Sequence, residues 1–270
     1  REEAAMTVVK PITGVTRMIA SLADPVIQVR APSIMNAVFA RHGLDWIMHP
    51  MHVKPENLGA TVAVLRRTSN YIAFTTTIPH KQQITRLSDE LMPNAKLCGA
   101  ANVTKIIDGR LVSEIFDGIG MIGGMAKSGV TVAGRRVLVC GAGGAARAIA
   151  FALCKEKPAC VHVHNRSEFK ALELAEAMRR AVPALEIAAV SGNRTDYDVI
   201  INATSLGLKE GDPTPLDFGS LNRETDVACV VAPRESETIL AARAKGCRVV
   251  PGIEMMKAQA EAITAFIADR

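Results

Sequence analysis

Apolar runs alternate with amphipathic stretches along most of the chain. From residue 135 onward the alternation predicts a parallel sheet, because continuous apolar strands separated by helices need cover on both faces. The last stretch, Met255–Ile267, has a helical pattern, and we expect it to return to the first half of the chain. The predicted strands of this block are Arg135–Gly141, Cys160–His164, Glu186–Val190, Asp198–Ala203, Asp226–Val231 and Arg248–Pro251, with helices at Ala145–Lys155, Phe169–Arg180 and Thr238–Ala244.

A similar alternation precedes this block, between about residues 10 and 117. The pattern therefore predicts an α/β fold made of two α/β domains. We place one domain at residues 1–117 together with the C-terminal helix at 253–270, and the other at residues 118–252. In the first domain the predicted helices are Pro32–His42, Leu58–Arg67 and His80–Leu91, and the predicted strands are Trp46–Val53 and Tyr71–Thr77.

A glycine-rich turn joins the first strand of the second domain to its helix. Gly141 permits a tight turn, Gly143 lets the backbone approach a phosphate, and the small Ala146 allows close helix–strand packing. The start of a helix also presents free N–H groups and a partial positive charge to an anion. The turn therefore predicts a Rossmann-type dinucleotide-binding domain, and a purely structural turn is the alternative. The expected cofactor contacts here are Gly141, Ala142, Gly143, Gly144 and Ala145.

The end of the second strand bears on which dinucleotide binds. An NAD site usually has an acidic residue there, for the ribose 2′-hydroxyl, whereas this chain has Asn165, Arg166 and Ser167. A guanidinium suits a 2′-phosphate through its charge and paired donors. We therefore predict NADP, with contacts from these three residues. NAD stays possible, because the carboxylate of Glu168 could reach the ribose from a slightly different loop.

Composition narrows the function further. The 270 residues carry a net charge of only +5, with scattered basic residues and 4% aromatics, which argues against a nucleic-acid partner. No apolar run reaches the roughly 18 residues of a membrane span, and residues 1–10 hold no signal-peptide pattern. The six cysteines show no C-x-x-C pair and no zinc spacing, so we expect no metal site and a reduced, cytoplasmic setting.

Several polar motifs between and around these elements have the order and spacing of one family. Together with the glycine turn, they resemble the shikimate dehydrogenase family from about residue 22 to the end. The resemblance implies that Lys81 and Asp117 form the catalytic pair in the oxidation of a ring secondary alcohol, with hydride passing between its carbon and the nicotinamide of the cofactor. An ordinary surface ion pair is the structural alternative for these two residues. The motifs are Thr77–Lys81, Gly99–Thr104, Phe116–Gly120, Asn165–Ser167, Asn202–Gly207 and Ala258–Ala260.

The resemblance also implies substrate contacts from Thr77, Asn102 and Gln259, besides Asp117. A strand position, a turn and an exposed helix position are the structural alternatives for the first three. The resemblance further implies that Thr204 and Ser205 lie near the cofactor. Their structural alternative is to cap the loop that follows them. We also assign Gly252 to the cofactor site.

One departure from the family concerns the substrate carboxylate. The family holds it with two serines, and here Val29 and Ala31 stand in their places, on either side of Arg30. Each lost charge-assisted hydrogen bond is worth roughly 1.5–3 kcal/mol. If the substrate keeps its carboxylate, a slight change in this loop could turn Arg30 inward to bind it in their place, and we include Arg30 among the candidate substrate contacts. An Arg30 that points to solvent is the equal alternative, and would favour another substrate or weak binding of shikimate.

These observations leave three hypotheses. The first is an NADP-dependent enzyme that interconverts 3-dehydroshikimate and shikimate, or a related small anionic cyclic hydroxy acid, as a monomer or homodimer. The second is an NAD-dependent quinate or shikimate dehydrogenase of catabolism. The third is a nucleotide-binding homologue without turnover, which the presence of both Lys81 and Asp117 argues against.

Overall fold

The computed structural model describes residues 11–232 and 234–269. Residues 1–10, where we expect no signal peptide, lie outside this range. Two six-stranded sheets carry the fold, each with its own helices. The strands are β1 (Arg17–Ala23), β2 (Trp46–His52), β3 (Tyr71–Thr76), β4 (Glu90–Leu91), β5 (Val103–Ile107), β6 (Arg110–Glu114), β7 (Arg136–Cys140), β8 (Cys160–His164), β9 (Glu186–Ala189), β10 (Val199–Asn202), β11 (Asp226–Cys229) and β12 (Val249–Val250). The helices are α1 (Ala31–Arg41), α2 (Leu58–Leu65), α3 (Pro93–Cys98), α4 (Asp117–Lys127), α5 (Gly144–Cys154), α6 (Glu168–Ala181), α7 (Glu237–Ala244) and α8 (Gly252–Ala268).

The first sheet has the order β2-β1-β3-β5-β6-β4 and is mixed. Strands β1, β2 and β3 are parallel, while β5 pairs antiparallel with both β3 and β6. Alternate residues of β1 face opposite sides, as a strand requires. Ile19 packs with α1 and α8, whereas Leu22 packs with α2. The sheet is thus covered on both faces.

The second sheet has the order β12-β11-β10-β7-β8-β9, and every pairing in it is parallel. Val137 and Val139 of β7 pack in the cluster that contains α5 and α6. Leu138 and Cys140 of the same strand pack on the opposite face, with α7. The predicted parallel, doubly covered sheet is therefore confirmed.

Helices α4 and α8 join the two units. Glycines on α4 permit very close packing: a Cβ at Gly118 would lie 2.5 Å from the Ala148 carbonyl oxygen of α5, and one at Gly120 would lie 2.8 Å from that of Met255 of α8. Further along α8, Ile263 packs in the core of the first sheet. The C-terminal helix therefore returns to the first domain, as predicted. The domain boundaries at residues 117 and 252 stay a prediction.

The helix predicted over His80–Leu91 is wrong. The segment forms turns, a short 3₁₀ helix at Gln83–Arg86, and the strand β4. Asp89 explains the difference, because it ties the segment to its neighbours. Its backbone N–H donates to the Leu111 carbonyl at 3.0 Å, and its carboxylate accepts from the Leu111 N–H at 2.7 Å and pairs with Arg66. Pairing with β6 therefore overrides the local helical pattern.

Two further observations bear on the setting of the protein. Within the described part of the chain, no helix has both the length and the apolarity that crossing a bilayer demands. All six cysteines are free thiols. Burial raises the pKa of Cys98 and Cys140 to about 12, so these thiols stay protonated and inert.

Candidate active site

A cleft of about 620 Å³ lies between the two sheets. One wall comes from the ends of β1 and β3 and from α8, and the other from the carboxyl ends of β7, β8 and β10. The walls approach closely: a Cβ at Gly144 would lie 3.1 Å from the Cβ of Lys81. The glycine turn and the proposed catalytic lysine therefore face each other across this cleft. Ligands of open α/β sheets bind at such carboxyl ends.

Lys81 and Asp117 form an ion pair on the first wall. Lys81 follows β3, and its backbone carbonyl accepts a hydrogen bond of 2.8 Å from the Ala101 N–H. Asp117 is the first residue of α4, where the helix dipole favours a carboxylate. The Lys81 side chain is 15% exposed and that of Asp117 only 3%. The pair is therefore largely withdrawn from bulk water, and only the lysine borders the cleft.

Asn102 holds the second oxygen of the Asp117 carboxylate, the one that Lys81 does not contact. Its Nδ2 donates to Asp117 Oδ1 at 3.0 Å, and its Oδ1 accepts from the Phe116 N–H at 3.0 Å. The same Nδ2 lies 3.5 Å from Gln259 Oε1 of α8. The structure thus brings Lys81, Asn102, Asp117 and Gln259 into one hydrogen-bonded group, which we call the polar cluster. Sequence spacing alone could not give these contacts.

The threonines of β3 extend the same wall. Thr77 is half-buried, lines the cleft and donates its N–H to the Leu22 carbonyl at 3.1 Å. Thr75 donates its hydroxyl to that of Ser21 at 3.0 Å; both residues are buried and both border the cleft. Sequence reasoning missed Ser21, because the run that contains it was not assigned as a strand.

Val29, Arg30 and Ala31 lie where α1 begins, and all three line the cleft. The Arg30 carbonyl accepts a hydrogen bond from Ser33 at 2.8 Å. Arg30 is exposed, and no described carboxylate forms an ion pair with it. Its guanidinium is therefore a cation at the rim of the cleft with no protein partner among residues 11–232 and 234–269.

The glycine turn has the geometry of an anion site. Gly141 has φ of +123°, a conformation that side chains rarely adopt, and its N–H donates to the His164 carbonyl at 2.7 Å. A Cβ at Gly143 would have no heavy atom within 4 Å, so the backbone there is open to a ligand. Helix α5 begins at Gly144 and presents its unpaired N–H groups to this space. These features fit a pyrophosphate.

The loop after β8 places Asn165 and Arg166 on the cleft wall. Asn165 Nδ2 donates to the Ser167 carbonyl at 3.0 Å, which holds the loop. Arg166 is exposed and has no described acidic partner, so it is available to a phosphate. Ser167 does not line the cleft; it is the N-cap residue of α6.

Three more predicted cofactor positions lie around β10 and α8. Thr204 and Ser205 line the cleft, and Thr204 Oγ1 donates to Asn202 Oδ1 at 2.7 Å. Gly252 is buried behind the cleft wall, where a Cβ would lie 2.4 Å from the Val231 carbonyl oxygen. Gly252 therefore packs against Val231, which lines the cleft, but Gly252 does not line the cleft.

The fold and the cleft together define a two-domain, nucleotide-binding α/β protein with a lysine–aspartate pair opposite its glycine turn. The model for the shikimate dehydrogenase substrate binding domain matches residues 22–104, and the model for shikimate / quinate 5-dehydrogenase matches residues 125–208. The chain is 38% identical to shikimate dehydrogenase (NADP(+)) of Geobacter metallireducens, over 94% of this chain and 92% of that one. The chain belongs to the shikimate dehydrogenase family.

Solved structures agree. Shikimate 5-dehydrogenase from Thermus thermophilus, in complex with NADP(H) and shikimate, is similar with a TM-score of 0.84, at 27% identity over 94% of each chain. The 5-ketofructose reductase of Gluconobacter sp. strain CHM43 is also similar, with a TM-score of 0.80 and 31% identity over 94% of each chain. The same fold thus occurs in proteins whose names differ in substrate.

Proposed function

We propose that this chain is an NADP-dependent oxidoreductase that interconverts 3-dehydroshikimate and shikimate, or a closely related cyclic hydroxy acid. The observation that carries the proposal is the Lys81–Asp117 pair facing the glycine turn across the cleft. The name of the Geobacter relative specifies NADP as its cofactor. Arg166 supports the same cofactor in this chain, because it is a cation at the cleft without a described acidic partner.

The polar cluster has the groups that alcohol oxidation requires. When bound, the cofactor supplies a nicotinamide ring that exchanges a hydride with the substrate carbon. The substrate hydroxyl must lose its proton in the same step, so a proton-transferring group within hydrogen-bond reach is needed. In the reducing direction the Lys81 ammonium would donate a proton to the carbonyl oxygen as the hydride arrives, which leaves a neutral amine. In the oxidising direction Lys81 would first lose its proton to solvent, and the neutral amine would then take the proton of the substrate hydroxyl. Asp117 holds the Lys81 amine, and Asn102 holds Asp117.

A second candidate substrate class is a neutral polyhydroxy ketone. The name of the Gluconobacter relative, 5-ketofructose reductase, shows that this fold occurs with such a substrate. The observation that favours this class here is the replacement of the carboxylate-binding serines by Val29 and Ala31, both of which line the cleft. A substrate without a carboxylate would not need those serines.

The test of function is a hydride-transfer assay on the full chain, followed through the absorbance of the reduced cofactor. The assay pairs NADP and NAD with shikimate and quinate, and NADPH and NADH with 3-dehydroshikimate and 5-ketofructose. We expect the highest kcat/KM with NADP(H) and the shikimate pair. Turnover of 5-ketofructose alone would show that the substrate belongs to the class of neutral polyhydroxy ketones. Absence of turnover with every pair would reject the proposed oxidoreductase activity.

Arg30 decides between the substrate classes within the same assay. If Arg30 binds the substrate carboxylate, Arg30→Ala should lower kcat/KM for shikimate by about 10- to 150-fold, the equivalent of about 1.5–3 kcal/mol. The double change Val29→Ser and Ala31→Ser should then add little. Arg67→Ala is the control, because Arg67 is exposed and lies away from the cleft. A large gain from the serines, without loss at Arg30, would show that another ligand is native.

Arg166 decides between the cofactors. Arg166→Ala should raise the dissociation constant for NADP by about 10- to 150-fold and leave that for NAD almost unchanged, because only NADP carries a 2′-phosphate. Isothermal titration calorimetry with NADP and with NAD measures the two dissociation constants. Arg180→Ala removes an exposed arginine in the last turn of α6, outside the residues that line the cleft, and serves as the control. Equal losses for both cofactors would assign Arg166 to the pyrophosphate or to the loop.

A further inference from the structure

A cluster of three potential metal ligands lies in the second sheet, away from the cleft. Cys160 and His162 belong to β8, and Glu186 belongs to the neighbouring edge strand β9. Cys160 and Glu186 are direct cross-strand partners, and His162 is two residues further along, so all three face the same side of the sheet. The cysteine sulfur, a histidine nitrogen and a carboxylate oxygen all lie within 4.8 Å of one another.

The imidazole of His162 has one buried nitrogen without a hydrogen bond. The residue is 9% exposed, and its Nδ1 lies 2.8 Å from the Tyr197 hydroxyl. Its Nε2 is buried and makes no hydrogen bond, although Glu186 Oε1 lies 3.3 Å away. A buried nitrogen without a hydrogen bond costs free energy. With its proton on Nδ1, toward Tyr197, the ring would aim a free Nε2 lone pair into the cluster, which is the usual arrangement of a metal-binding histidine.

The surrounding charges are compatible with a divalent cation. The Glu186 carboxylate contributes a negative charge beside the Cys160 sulfur, and Arg136 contributes a positive one. Arg136 also pairs with Asp196 at 3.2 Å, so its positive charge is partly offset. A thiolate and a carboxylate together would neutralise two positive charges. The Glu186 side chain is 73% exposed, which leaves the cluster open to solvent on one side.

We propose that Cys160, His162 and Glu186 form a Zn²⁺ site with water in the fourth position. One sulfur, one nitrogen and one oxygen donor suit this ion, which is commonly tetrahedral in proteins. Binding would release the thiol proton of Cys160. Cys160 pairs in register with Arg136, the first residue of β7, so the site lies at the amino ends of the strands, opposite the cofactor cleft. The ion would therefore join the edge strand β9 to β8 and take no part in hydride transfer.

The test uses the full chain, freed of metal with a chelator and then titrated with Zn²⁺ and with Co²⁺. We expect one equivalent of Zn²⁺ per chain, a higher Tm, and a cobalt–thiolate charge-transfer band in the near ultraviolet. Cys160→Ser should abolish the band and weaken Zn²⁺ binding by at least about 10- to 100-fold, the loss that removal of an outer-shell partner alone causes. Cys154→Ser, a change at a half-buried thiol of α5 outside the cluster, should alter neither result.

Glu186→Gln provides a second variant that should still fold, because the side chain is largely exposed. It should weaken Zn²⁺ binding while it keeps the cobalt–thiolate band. Less than one equivalent of bound Zn²⁺ in the unmodified chain would overturn the site. A band that survives in Cys160→Ser would place the metal elsewhere and would also overturn it. These experiments measure bound metal and the Co²⁺ absorption spectrum. Their outcome therefore does not depend on the outcome of the dehydrogenase assay.

Discussion

Lys81→Ala should lower kcat by about 10²- to 10⁴-fold, the usual contribution of a general acid or base. The reason is geometric: Lys81 is the member of the ion pair that borders the cleft, while Asp117 is buried behind it. Removal of the Lys81 side chain leaves the reacting oxygen of the substrate without a proton-transferring group. Stopped-flow measurement of the first turnover, with cofactor and substrate saturating, reports this chemical step directly.

Cofactor binding separates a catalytic role of Lys81 from a structural one. The NADPH dissociation constant should change little in Lys81→Ala, because the glycine turn and Arg166 are unaltered. A decrease in Tm is expected, since the buried Asp117 loses its cation, although it keeps its hydrogen bond to Asn102. Lys96→Ala, at an exposed lysine outside the cleft, is the matched control. Turnover within a few-fold of the unmodified protein would show that Lys81 does not transfer the proton.

The parts of the fold that could be predicted are those set by neighbours in sequence. The turn at Gly141–Ala145 was recognisable because its strand, glycines and helix are contiguous. The polar cluster became an expectation only through the family resemblance, since Lys81, Asn102 and Gln259 come from distant parts of the chain. Their roles stay predictions, although the structure places them together.

Other features could not be predicted because they arise from tertiary contacts. Helix α4 contains four glycines, which disfavour a helix locally, yet α5 and α8 pack against them. The segment after His80 has a helical pattern, yet Asp89 ties it to β6. The Cys160–His162–Glu186 cluster is formed by the register between two strands, so the spacing of the cysteines gave no indication of it.

Gly141→Ala should reduce both stability and NADP affinity. Gly141 has φ of +123°, and a Cβ there would lie 2.9 Å from the Ala203 carbonyl oxygen. Backbone strain of this kind costs about 1–3 kcal/mol, and the close contact adds to it. For a protein of this size, each kcal/mol lowers the Tm by roughly 2–4 °C. The turn must also move away from Ala203 and Thr204, which form the neighbouring wall of the cofactor cleft.

Gly143→Ala is the matched control for this change, because the two glycines serve the turn in different ways. Gly143 has an ordinary φ of −79°, and a Cβ there meets no heavy atom within 4 Å. Its replacement should therefore leave the Tm nearly unchanged and weaken only NADP binding, since the new methyl group projects into the space expected for the pyrophosphate. Thermal unfolding and cofactor titration on both variants separate the two effects. An unchanged Tm in Gly141→Ala would contradict the strained turn, and unchanged NADP affinity in both variants would place the pyrophosphate elsewhere.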